Sequence, residues 1–183
     1  MPPRHFACVL LALALGACAA GPSGNPAVPQ PAKAVNLTAY QGRWYEFARY
    51  ENRFERGCEG VTAEYAPLPK GLVSVINTCR AGAVDGPVKV ANGRARPVGD
   101  ALGAKLKVSF FGPFFLGDYW VLDHADDYSW SIVGEGSGRY LWVLTREPVP
   151  TPERRAALVE RLKQLGYDTA MLRYTAHAPE ARP

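Results

Sequence analysis

The chain has 183 residues, of which 48% are hydrophobic, 11% aromatic and 21% charged; this fits one domain with tails and excludes wholesale disorder. A formal net charge of +4 without a Lys/Arg run argues against nucleic acid as the main partner. Three His and four Cys nearly exclude a His-rich metal centre, and 18 Gly with 16 Pro favour a turn-rich fold over a helical bundle.

The first element is an export address. Arg4 gives a weakly positive start, and residues 6–15 form an apolar run too short to span a membrane as a stable helix. Leu15-Gly16-Ala17-Cys18 resembles a bacterial lipobox. The resemblance implies a signal over residues 1–17, cleavage before Cys18 and acylation of its thiol (palmitate and diacylglycerol on the retained cysteine). Ala19, which is not Asp, implies by resemblance to enterobacterial lipoproteins the outer membrane, with the domain facing the periplasm. Residues 18–35 are rich in Pro, Ala and Gly and read as the lipid-bearing Cys and a flexible tether. Residues 36–176 form the folded domain, and 177–183 a disordered tail.

The cysteines divide by position. Cys8 leaves with the signal and Cys18 takes lipid. Cys58 and Cys79 remain as an even pair in an oxidising compartment, which predicts a disulfide.

The body is a series of short β-rich runs at residues 44–50, 61–66, 72–79, 88–97, 106–111, 119–124, 128–134 and 140–146. Turn signals separate them, among them Pro69-Lys70-Gly71, Asp85-Gly86-Pro87 and Gly112-Pro113. Eight strands at this spacing imply an all-β antiparallel sandwich or an up-and-down barrel. In the fifth, Leu106, Val108 and Phe110 alternate with Lys105, Lys107 and Ser109, the pattern of a half-buried strand. In the eighth, Tyr140, Trp142 and Leu144 share a face, while Leu141 and Val143 lie opposite, so both sides are covered.

A single helix follows. Thr151 is its N-cap, Pro152 its first residue, and Leu158, Leu162 and Leu165 form its apolar stripe before Gly166 stops it. Residues 171–175 read as one more short strand.

The residues then point to a family. Gly42-Arg43-Trp44-Tyr45-Glu46 resembles the G-x-W signature of lipocalins, and Arg146 resembles that family's late Arg. Residues 53–57 and 107–114 are similar to the bacterial subgroup, which is related to apolipoprotein D. The similarity runs from about Tyr40 to Thr175. It implies an eight-stranded up-and-down lipocalin barrel with one C-terminal helix packed outside. Gly42, Trp44 and Arg146 are then structural, with the guanidinium stacked on the indole at the closed end. A Cys58–Cys79 bridge would pin the entrance loop to the rim.

Alternation from Trp44 assigns the inner face. It places Glu46, Ala48 and Tyr50 of the first strand there, with Ala63 and Tyr65 of the second and Val73, Val75 and Asn77 of the third. Leu106, Val108, Phe110, Tyr119, Val121, Tyr140 and Trp142 complete a candidate ligand-binding lining. Glu46 and Asn77 either orient an amphiphile's head group or satisfy each other or a buried water. Phe110, Phe111, Phe114 and Phe115 either contact lipid or cap the mouth.

The resemblance implies a membrane-anchored carrier of a small hydrophobic ligand, a fatty acid or lysophospholipid, in the bacterial envelope. The alternative is an interaction protein that uses the barrel loops and holds no lipid. An enzyme is poorly supported: no G-x-S-x-G elbow occurs, His124 and His177 fall off the inner face, and residues 134–138 are a hairpin turn. No metal or cofactor is implied, and monomer and homodimer both remain open.

Overall fold

The computed structural model describes residues 23–99 and 102–178. The signal segment, Cys18 and residues 179–183 lie outside them. The strands are β1 Gly42–Tyr50, β2 Cys58–Leu68, β3 Leu72–Ala81, β4 Val88–Pro97, β5 Lys105–Ser109, β6 Gly117–His124, β7 Trp130–Gly134, β8 Leu141–Thr145 and β9 Leu172–Tyr174. Helix α1, Pro152–Gln164, lies between β8 and β9.

From β1 to β8 each strand pairs antiparallel with the next, and β8 pairs back with β1. The first eight strands thus close on themselves, which removes the sheet edges. β9 pairs with the second half of β1, through Ala48, Arg49 and Tyr50, beyond the stretch that β2 covers. Connections 51–57, 82–87, 110–116 and 135–140 gather at one end, the open end. Residues 69–71, 98–99, 102–104, 125–129 and 146–151 gather at the other.

Two apolar clusters divide the side chains. Trp44, Ala63, Tyr65, Val75, Val121, Val133 and Leu144 fill the barrel interior. Phe47, Leu122, Ile132, Leu141 and Val143 face outward, where Leu158 and Leu162 of α1 cover them. Burying each of those two leucines contributes about 1.5–3 kcal/mol, which holds the helix on the wall. Thr151 caps α1 by accepting from the Arg154 amide at 3.3 Å.

The structure corrects the first strand's alternation. The β1–β8 register shifts between Glu46 and Ala48: Glu46 pairs with Leu144, whereas Ala48 pairs with Val143 and Arg49 with Trp142. This β-bulge adds one residue, and every side chain after it changes face. Ala48 and Tyr50 therefore lie in the outer cluster under the helix. Arg49 takes the inner side that alternation had assigned to them.

The chain ends also differ from expectation. Residues 23–35 do not hang free but run along the outside of the barrel from the open end to the closed end. The Gly24 amide donates to the Gly138 carbonyl at 3.1 Å, and the Asp168 amide donates to that of Gly24 at 2.8 Å. Asn25 is buried and gives its side-chain amide to the Leu165 carbonyl at 2.9 Å. Lys33 donates to the His124 carbonyl and the Val35 amide to Leu102, both at 2.8 Å. A Cβ at Gly24 would stand 2.2 Å from the Tyr50 ring, so the strap approaches the barrel more closely than any other residue allows. Composition hid these contacts because backbone groups make most of them. His177, placed in the tail, bonds the Glu46 carbonyl at 2.8 Å through Nε2.

Candidate ligand-binding site

The closed end is built around Trp44. Its indole nitrogen donates to the Tyr40 carbonyl at 2.9 Å, and its ring lies 4.8 Å from the Tyr40 ring. The Arg146 guanidinium sits 3.8 Å from the centre of the indole ring. Its nitrogens donate to the carbonyls of Arg43 at 2.6 Å, Gln41 at 2.9 Å, Ala39 at 3.2 Å and Tyr128 at 3.3 Å. Gly42 at φ +88° begins the strand beside this guanidinium. Strand pairing continues from there, and the barrel floor is sealed.

Above the floor three tyrosines cross the interior. The Tyr119 hydroxyl lies 3.0 Å from that of Tyr40 and 2.9 Å from that of Tyr65, and Tyr40 reaches the Ser131 hydroxyl at 2.9 Å. Burial pushes the Tyr40 hydroxyl up to about 12 and those of Tyr65 and Tyr119 well above the ordinary phenol value. All three stay neutral at physiological pH. A cavity of about 20 Å³ lies against these rings, lined by Val73, Val75, Ala95, Leu106, Val108 and Val121 as well. That is room for about one water-sized group. A longer ligand must therefore occupy the upper barrel or displace side chains there.

The upper wall is aromatic. The Phe110 ring lies so close to β4 that a Cβ on Gly93 would meet it at 2.8 Å. Tyr140 and Trp142 stack in parallel, 5.9 Å apart, and Phe54 from the 51–57 connection stacks on Tyr140 at 5.7 Å. The Trp142 indole donates to the Glu55 carboxylate at 2.9 Å. The Cys58–Cys79 disulfide, with Cα atoms 5.4 Å apart, joins the residue after that connection to the end of β3.

The two polar residues expected inside behave differently. Glu46 is engaged: Arg49 donates to its carboxylate at 2.6 Å, and so does the Thr175 hydroxyl. Arg49 is fully buried and also donates to the carbonyls of Glu55 at 2.9 Å and Cys58 at 3.4 Å. Burial raises the Glu46 carboxyl to about 7, with the nearby Glu55 charge adding to the rise and Arg49 opposing it. Glu46 therefore finds its partners within the protein. Asn77 shares its face with Ala63, and its buried Oδ1 has no hydrogen-bond partner. It is the polar atom free to accept from a guest.

Of the expected lining, Ala63, Tyr65, Val73, Val75, Asn77, Leu106, Val108, Tyr119 and Val121 come together around the interior, with Phe110, Tyr140 and Trp142 towards the mouth. Ala48 and Tyr50 do not. Alternation missed Tyr40, which precedes the first strand, and Ala95 and Gly93, for whose strand no face was assigned. Their small size opposite Val73 and Val75 was the available signal. Among the described residues no group of three or more His, Cys, Asp or Glu side chains is placed to hold a metal.

Comparison with known proteins gives consistent results. The family model described as a lipocalin-like domain matches residues 35–177. An outer membrane lipoprotein Blc of Vibrio cholerae is 36% identical over 172 residues, covering 93% of this chain and 97% of that protein. Temperature-induced lipocalin-1 of Arabidopsis thaliana is 36% identical over 150 residues, covering 78% and 80% of the two chains. Among solved structures, insecticyanin from the tobacco hornworm Manduca sexta superposes with a TM-score of 0.68 at 22% identity, covering 86% of this chain and 88% of that one. This last likeness is one of fold alone.

Proposed function

The chain belongs to the lipocalin family, and on that premise we propose that it binds one single-chain lipid, a lysophospholipid or a fatty acid, in the upper barrel and is held by lipid on Cys18 at the outer membrane, facing the periplasm. This chain is read as a carrier and not a catalyst, in keeping with its lipocalin-like domain over residues 35–177. The observation that carries the reading is the inner face itself. It is largely apolar between Val73 and Val121, closed at one end by Trp44 and Arg146, with Phe110 and Trp142 towards the other.

Binding draws on the burial of acyl surface, at about 25 cal/mol per Å². The unpaired Asn77 oxygen favours a ligand that brings a hydroxyl donor, as the glycerol of a lysophospholipid does. The relatives called outer membrane lipoproteins support the location, and Leu15-Gly16-Ala17-Cys18 supports the anchor.

Titration of the purified protein with lysophosphatidylcholine and with oleate, followed by Trp142 emission, tests the ligand. Saturable quenching that Trp142→Phe removes is expected, and no response to either lipid refutes the reading in favour of a loop-mediated interaction protein. Cys18→Ser tests the anchor and should shift the protein out of the membrane fraction.

A further inference from the structure

We propose that the open end of the barrel docks onto the surface of the anchoring bilayer, with the 110–116 connection inserted among the lipids, so that the mouth opens directly onto its source of ligand. The proposal rests on the reading of Cys18 as the lipid-bearing residue, and it adds an orientation which that reading does not contain.

The first observation is where the chain leaves the barrel. The N-terminal strap does not depart from the sealed floor. Its described part begins at Ser23, whose hydroxyl donates to the Ser137 carbonyl at 2.8 Å, next to the Gly24–Gly138 backbone bond. Both partners belong to the β7–β8 connection at the open end. Cys18 precedes Ser23 by five residues, which span at most about 18 Å when fully extended. The barrel is longer than this from mouth to floor, since an eight-residue strand spans roughly 26 Å. Acyl chains on Cys18 therefore draw the open rim towards the bilayer, and the floor can reach it only if the strap peels off.

The second observation is independent of the anchor. Phe111 is 88% exposed, Leu116 81% and Phe114 67%, all in the one connection at that rim. They do not cap the mouth, because a cap would be shielded by it. Phe115, between them, packs under the guanidinium of Arg96 at 5.0 Å. An apolar cluster of this kind standing in water marks a surface meant for another apolar medium. Across the mouth, Arg53 and Arg56 flank the exposed Phe54, and Arg139 is exposed on the β7–β8 connection. Cations around an apolar tip match a phospholipid interface, where phosphates lie above acyl chains. Asp85 is also exposed at this end, and Glu135 is held by backbone amides of its own turn.

Phe111→Trp and Val149→Trp, each in the full acylated chain, place a reporter at the open and the closed end. Val149 is exposed in the 146–151 connection, so neither substitution disturbs a core. The chains are reconstituted into vesicles of phosphatidylethanolamine and phosphatidylglycerol with brominated acyl chains, and wild-type emission is subtracted. Emission from residue 111 should fall at least about twofold while that from residue 149 is unchanged. Quenching of residue 149, or of neither, overturns the docking. So does a dimer in sedimentation that shields residue 111 without quenching it. Flotation of the vesicles with wild type and with Cys18→Ser reports the anchor separately. A chain that floats without quenching at residue 111 keeps the anchor and loses the orientation.

Discussion

Arg146 and Trp44 meet face to face at the barrel floor, with the guanidinium carbon 3.8 Å from the centre of the indole ring. They stand 102 positions apart in sequence, at the two ends of the eight-stranded circuit. The stack fastens the first strand to the last; of the four carbonyls that Arg146 serves, those of Ala39, Gln41 and Arg43 belong to the chain entering β1 and that of Tyr128 to the β6–β7 connection. A cation–π contact of ~0.5–2 kcal/mol and several charge-assisted hydrogen bonds act together here. Arg146→Ala should lower unfolding free energy in urea by at least about 2 kcal/mol. Arg146→Lys should recover less than half, because an ammonium cannot present a planar fork. A loss near zero for the alanine variant contradicts a structural role.

The Glu46–Arg49 pair predicts a pH dependence. Burial raises the folded-state carboxyl of Glu46 to about 7, above its ordinary 4.5. The folded protein thus holds this proton more tightly than the unfolded chain does. The group's contribution is full below about 4.5 and is lost as pH rises through about 7. Glu46→Gln cannot ionise. Wild type should lose stability relative to this variant between those two values and stay level above them. A constant difference across the window contradicts the assignment.

The disulfide joins Cys58 and Cys79, which stand 21 positions apart. Removing it releases chain entropy in the unfolded state, so Cys58→Ser with Cys79→Ser should cost about 3 kcal/mol. Thermal unfolding with and without reductant measures the same quantity on the wild type.

Two interior substitutions separate ligand classes. Asn77→Leu removes the unpaired acceptor and should weaken lysophospholipid binding several-fold while sparing fatty acid, which carries no hydroxyl donor once ionised. Phe110→Ala clears the upper wall over Gly93 and should tighten binding of long acyl chains. Calorimetry with both lipids reads both effects. Equal losses for the two lipids in the Asn77 variant would remove the head-group role.

The strands were legible because turn residues and period-two alternation are local properties. The β5 pattern of Lys105 to Phe110 needed no knowledge of its neighbours. The register of β1 was not legible, since a bulge between Glu46 and Ala48 is set by its partner β8 and leaves no mark in its own residues. The same limit hid Arg49, an ordinary surface residue by composition that is fully buried by its carbonyl partners. Tyr40 escaped because it reaches the interior from outside any strand, through its hydroxyl bonds to Tyr119 and Ser131. The packed strap of residues 23–35 escaped because Pro, Ala and Gly contribute little side-chain signal even where the backbone is bonded, as at Gly24 and Val35.

Uptake of one lipid in the upper barrel is open to direct measurement. Native mass spectrometry of residues 19–183, incubated with lysophospholipids and fatty acids of several chain lengths, tests it most directly. One bound lipid per chain is expected, with lysophospholipid retained at higher collision energy than fatty acid and its advantage lost in Asn77→Leu. A folded chain that retains none of them contradicts it.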